Sequence, residues 1–169
     1  FYLRYSELKE DNEMRSFVIK TLNQISRGGI NDRLEGGFHR YTVDQKWHIP
    51  HFEKMLYDNA QLMSVFSNAY MVYKDPRYKE ELYNIFNFLE LKMTSENGLI
   101  FSSISADTNY PNGKKIEGDF YIWNENELKT ILKNDFTWVK DYYNINQTGL
   151  WEEDKYVFYQ TISDNQFAI

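Results

Sequence analysis

The sequence predicts a mainly α-helical fold with one small β-hairpin inserted in it. Three observations carry that expectation. Apolar residues recur at spacings of three and four through three long segments, and helix start and stop signals bracket those segments. Short β-like stretches fall only after Gly98.

The first helix is expected from about Ser6 to Arg27, with Met14, Phe17, Val18, Thr21, Leu22 and Ile25 on one face and Gly28-Gly29 as its stop. The stretch from Gly28 to Ile49 is rich in Gly and polar residues and reads as a structured loop; loops of that length are uncommon unless functional. Pro50 suits the first turn of a second helix, expected from Pro50 to Tyr73. Asp75-Pro76 starts a third, with Asp as cap, ending at Asn97-Gly98 and facing inward through Tyr78, Leu82, Ile85, Phe86, Leu89 and Met93. Leu99 to Ser105 and Asp119 to Trp123 read as the arms of a hairpin. Asn124 and Glu127 form a capping-box pattern for a helix reaching Lys133; a short helix over about Phe136 to Tyr143 and a strand over Tyr156 to Ile162 complete the reading.

Composition narrows the function classes. Thirty of the 169 residues are aromatic (12 Phe, 4 Trp, 14 Tyr), so the core is expected to be built from rings more than from aliphatics. No apolar run approaches the roughly 18 residues of a membrane helix, and no secretory signal pattern is visible. The absence of Cys removes disulfides, thiolate zinc sites, iron–sulfur clusters and Cys nucleophiles, and is compatible with a cytoplasmic location, the default reading. A net charge of −6 argues against a nucleic-acid partner. Phe1 is not an initiator Met, so the reading is of a chain that begins inside a longer product.

The chemistry concentrates in the loop and the start of the second helix. At 100° per residue, His51, Lys54 and Asp58 would lie within about 60° of one another. Beyond its second turn that helix is apolar nearly all round and is expected to be buried, so ionisable groups at its mouth need partners or a pocket. The plainer reading pairs His51, Glu53, Lys54 and Asp58 with one another. The sharper one is a pocket completed by His39, Arg40, Asp44, Trp47 and His48, and the crowding of all three His into thirteen residues favours it. His48-x-x-His51-x-Glu53 matches no standard zinc spacing, so neither metal nor cofactor is expected. The pairs Gly28-Gly29 and Gly36-Gly37 lack the strand-turn-helix context of a phosphate cradle and read instead as positive φ or close helix approach.

One run of residues is more specific than any of these. Gly28-Gly29-Ile30, Gly36-Gly37-Phe38-His39-Arg40-Tyr41, Val43-Asp44, Trp47, and Pro50-His51-Phe52-Glu53-Lys54-Met55-Leu56-Tyr57-Asp58-Asn59-Ala60-Gln61-Leu62 resemble the YyaL/spermatogenesis-associated protein 20 family. Weaker agreement continues through Gly98, Ala106-Asp107, Glu117-Gly118, Phe120-Tyr121 and Trp123. That family joins a thioredoxin-like domain to an (α/α)6 toroid similar to N-acylglucosamine 2-epimerases and six-hairpin glycosidases. The resemblance implies that residues 1–169 are one partial toroid domain without the thioredoxin-like part, since the few long helices here do not close a ring. A cut toroid would leave apolar helix faces exposed, with self-association as a consequence. The family has Asp-Ala-Asp where this chain has Ser105-Ala106-Asp107, so one acidic group is missing.

The resemblance implies a carbohydrate-related domain, of sugar epimerase/isomerase or glycosidase type, whose partner is a saccharide or other small molecule. His39, His51, Glu53 and Asp58 are the catalytic candidates. Arg40, Tyr41, Asp44, Trp47, Lys54, Tyr57 and Asp107 are the candidates for holding substrate, the rings by stacking and the charges by anchoring hydroxyls or anions. The alternative is a non-catalytic ligand-binding or interaction module, and a metal hydrolase using His48 and His51 is a third reading.

Overall fold

A computed structural model describes residues 1–168. About half of them are helical, and the strands are short antiparallel pairs, so the chain is mainly α.

The first expected helix is two. Helix α1 (Tyr2–Leu8) ends before Glu10, whose φ of 52° breaks the helical path. Helix α2 (Asn12–Arg27) then starts afresh at Asp11, whose side chain accepts from the Met14 N–H at 2.9 Å. Val18 and Leu22 of α2 are buried, whereas Phe17 is exposed. Gly28 closes α2, and Gly28 and Gly29 are small because backbone passes close by: a Cβ on either would lie 2.5 Å from the Trp47 carbonyl oxygen or 2.0 Å from that of His48.

The second helix starts later than Pro50. Residues 50–55 are extended: strand β2 (Pro50–His51) pairs with β1 (Tyr41–Thr42), and β3 (Lys54–Met55) pairs with β4 (Ser103–Ile104). Helix α3 (Leu56–Tyr73) therefore begins six residues after Pro50, and His51 and Lys54 share no helix face with Asp58. Nor is α3 buried all round. Phe66 and Ala69 are inside, while Tyr57, Val65, Met71 and Val72 are exposed.

Asp75 caps α4 (Pro76–Lys92) by accepting from the Arg77 N–H at 3.0 Å, and α3 and α4 form a helical hairpin joined through Lys74 in the left-handed region. Tyr78, Ile85 and Phe88 of α4 are buried; Phe86, expected inside, is exposed. The hairpin also differs from expectation. Its arms, β5 (Asp107–Asn109) and β6 (Lys115–Glu117), lie within the stretch read as a connection. The expected arms shrink to β4 and to β7 (Trp123–Asn124).

The capping box of Asn124 and Glu127 starts α5 (Glu125–Leu132), followed by a 3-10 turn and α6 (Phe136–Tyr142). Strands β8 (Leu150–Glu152) and β9 (Lys155–Tyr156) pair, and β9 also pairs with β7; the strand expected over Tyr156 to Ile162 contracts to β9. A short α7 (Asp164–Phe167) ends the described chain.

Three apolar clusters hold these parts. The largest joins Val18, Leu22, Ile30, Phe38, Phe66, Ala69, Tyr78 and Ile85. A second, around Ile49, Phe52, Ile122 and Val157, lies under the loop, and a third, Leu128, Val139, Ile145 and Tyr156, lies under α5 and α6. Asn59 ties the loop to α3. Its Oδ1 accepts from the Phe38 N–H at 2.8 Å, and its Nδ2 donates to the carbonyls of Phe38 (2.9 Å) and Met55 (3.0 Å). Both polar groups of the buried Phe38 backbone are thereby satisfied, and the residue after it, His39, is fixed in place.

No helix of the described residues is long and apolar enough to cross a membrane.

Candidate functional site

Pairing of β3 with β4 points the Lys54 side chain inward, where it is 1% exposed. Its Nζ donates to Asp32 Oδ2 at 2.6 Å and to the Gly36 carbonyl at 2.8 Å. It stands 4.6 Å from the centroid of the Phe88 ring and 5.0 Å from that of Tyr121, close enough for cation–π attraction to both. Asp32 is held from its other oxygen, Oδ1, which accepts from the N–H groups of Leu34 (2.9 Å) and Glu35 (3.0 Å). Burial alone would raise the Asp32 pKa, but the charge and hydrogen bond of Lys54, with those two N–H groups, hold it below the usual carboxylate range.

His39 lies beside this pair. Its backbone N–H donates to the Ile30 carbonyl, and its ring meets Tyr121 edge-on at 4.7 Å. Nδ1 is 3.0 Å from the Phe52 carbonyl oxygen. A carbonyl only accepts, so Nδ1 carries the hydrogen and Nε2 keeps its lone pair. Burial, reinforced by the Lys54 charge, pushes the His39 pKa down to about 3, so the ring is neutral at pH 7.

Two adjoining clefts open here. The first, about 360 Å³, is lined by residues 31–35, His39, Tyr121, Trp123 and Phe158 among others. The second, about 280 Å³, is lined by Lys54, Phe88, Lys92 and residues 104–108. Glu35, Phe120 and Tyr121 line both and form the ridge between them. Glu35 is ion-paired with Lys92. Beneath the first cleft, Asn31 donates to the Ser26 carbonyl and to Glu81, each at 2.9 Å, and Arg33 lies 3.7 Å from Glu81 and donates to Gln160 at 2.8 Å.

The residues singled out from sequence fall into separate places. His39, Lys54 and Asp107 line the clefts. Arg40 and Glu53 form an ion pair at 3.2 Å beside Tyr57 and Asp58, away from both linings. Burial raises the Asp58 pKa, Arg40 opposes it, and the Asp58 Oδ2 is buried with no hydrogen-bond partner among the described residues. His51 stacks on Tyr41 at 5.0 Å, with its Nε2 3.7 Å from Glu117. Asp44 shapes the loop, accepting from the N–H groups of Lys46 (2.6 Å), His48 (3.3 Å) and Ile49 (2.5 Å). Trp47 packs against the main core, and the buried His48 ring lies 4.2 Å from Tyr159. The single mouth expected at a helix start is thus three environments, because residues 50–55 are extended.

Asp32, Glu35 and Tyr121 were not singled out as site residues from sequence. The available signal for Asp32 was its place inside the Gly28 to Ile49 loop, and for Tyr121 its place in the Phe120-Tyr121 agreement. Among the described residues, no group of three or more His, Asp or Glu side chains is placed to hold a metal ion.

No protein-family model matches the chain. Individual relatives do. It is 34% identical over 133 residues to spermatogenesis-associated protein 20 of Mus musculus and 32% identical over 133 residues to that of Homo sapiens, each match covering 78% of this chain and 17% of the relative. An uncharacterized protein of Caenorhabditis elegans is 34% identical over 155 residues, 85% of this chain and 21% of the relative. The chain spans about a fifth of the length of these curated relatives. Over some four-fifths of its own length it is homologous to spermatogenesis-associated protein 20.

Proposed function

We propose that this chain is a section of an (α/α)6 toroid and that the first cleft recognises a sugar. The observation that carries the reading is one cavity lined by the neutral His39, by Asp32 of the buried Asp32–Lys54 pair and by an aromatic wall of Tyr121, Trp123 and Phe158. Rings give an apolar platform for the carbon face of a sugar, while fixed acceptors and donors at the edge read its hydroxyls. The α3–α4 hairpin and the exposed apolar residues Phe17, Val65 and Met71 support a toroid section that packs against further helices.

Recognition is the activity the geometry supports best. A general base is most effective with a pKa near the working pH, and His39 at about 3 is better suited to accept a hydroxyl hydrogen bond through Nε2. Epimerase- or isomerase-type proton transfer is the second reading, favoured by that lone pair beside Asp32 and Lys54. Glycoside hydrolysis has less support, because it requires two carboxyl groups free to act on the substrate, and Asp32 and Glu35 are each committed to a lysine.

Ligand-observed NMR against a panel of mono- and disaccharides tests the proposal, followed by incubation of any binder in D2O. The expected result is binding that Leu34→Trp, at the exposed rim of the first cleft, abolishes. Binding without deuterium uptake at sugar carbon marks a recognition module, and uptake marks an epimerase or isomerase. A folded chain that binds no saccharide overturns the proposal.

A further inference from the structure

Taking the sugar-binding reading as its basis, we infer that the two clefts are successive subsites for a neutral saccharide of at least two rings, with Tyr121 and Phe120 as the divide between them. The clefts share three lining residues and so lie side by side, separated only by that ridge. Each has its own set of recognition groups. The first is lined by His39 with Trp123 and Phe158, and the second by Ser105, Asp107 and Thr108 with Phe88.

The ridge itself argues for a ligand that crosses it. Tyr121 is anchored by near-parallel stacking on the buried Phe52, 5.8 Å between centroids and 5° between planes. Phe120 meets Tyr121 edge-on at 5.1 Å yet is 56% exposed, an apolar ring presented to solvent at the junction of two clefts. A chain of sugar rings laid across the ridge would cover it.

The charges indicate a neutral ligand. Around the clefts they occur as internal pairs, Asp32 with Lys54, Glu35 with Lys92 and Arg33 with Glu81. The remaining Asp107 has no ion-pair partner among the described residues and adds a negative charge to the second cleft. Among the described residues that line the clefts, no cation is left over to hold a phosphate or carboxylate, and an anionic sugar would meet Asp107 unscreened.

The test compares glucose, maltose, cellobiose and glucose 6-phosphate by titration NMR on the 169-residue chain and on Ser105→Trp, an exposed position whose new ring fills the second cleft. One disaccharide is expected to bind about tenfold tighter than glucose, and Ser105→Trp to reduce that ratio to about one. A retained proton NMR fingerprint verifies that the variant is folded. Glucose 6-phosphate is expected to bind no tighter than glucose. Equal affinity for one and two rings, or a ratio that survives Ser105→Trp, overturns the two-subsite inference while leaving sugar recognition standing. Preference for the phosphate overturns neutrality alone, and failure of every sugar to bind removes the underlying reading as well.

Discussion

Lys54 Nζ lies 2.6 Å from Asp32 Oδ2, and the two side chains are only 1% and 7% exposed. The pair joins the strand that leads into α3 to the middle of the Gly28 to Ile49 loop, and it sets the wall of both clefts. Removing one partner leaves the other charge buried. Lys54→Met is expected to lower the unfolding free energy by about 3–5 kcal/mol in urea denaturation, whereas Lys54→Met with Asp32→Asn recovers part of that loss. A single variant as stable as the parent would contradict the buried pair.

His39 predicts an acid sensitivity. Its pKa is about 3 when folded against 6.5 ordinarily, so between those values the unfolded chain binds more protons than the folded one. The stabilisation is complete above pH 6.5 and is lost as pH falls toward 3, a decline on the order of a few kcal/mol. Burial lowers the His48 pKa too and adds a slope of the same sign. Urea midpoints between pH 7.5 and 4.5 should therefore fall, and His39→Asn should flatten part of the fall. Identical slopes in parent and variant would refute the assignment.

Asn59 makes three hydrogen bonds and is fully buried. Asn59→Ala orphans the N–H and carbonyl of Phe38, at a cost of about 1–3 kcal/mol for each group left dry. Hydrogen exchange at the Phe38 amide should accelerate more than exchange in α4. Uniform acceleration along the chain would show that Asn59 acts through global stability alone.

Gly37 and Gly113 separate strain from collision. Both have positive φ, 72° and 81°, but a Cβ on Gly37 would lie 2.3 Å from the Phe88 ring, while one on Gly113 meets open space. Gly113→Ala is expected to cost about 1 kcal/mol, and Gly37→Ala about 2 kcal/mol or more. Equal melting temperatures for the two variants would argue against the close approach of Gly37 to Phe88.

Local signals in this chain were read locally and held locally. Asp75-Pro76 starts α4, Asn124 with Glu127 starts α5, and Gly28 ends α2, because each acts through hydrogen bonds or dihedral limits within a few residues. The Gly28 to Ile49 loop, read as functional for its length, supplies Asp32, Glu35 and His39 to the first cleft. The Pro50 signal failed for the same local reason. Proline is equally acceptable at a helix start and in a short paired edge, and partners chose between them: Tyr41 pairs with His51, and Ile104 with Lys54.

The sequence by itself determined that the chain is mainly α, that all three His fall within one segment, and which proteins it resembles. Tertiary structure alone decided which of those groups meet. Pairing of β3 with β4 across fifty residues turned Lys54 inward onto Asp32, and pairing of β1 with β2 across ten set His51 on Tyr41, with Glu53 beside Arg40. Such pairing depends on backbone hydrogen bonds between segments distant in the chain, which no spacing rule within one segment encodes.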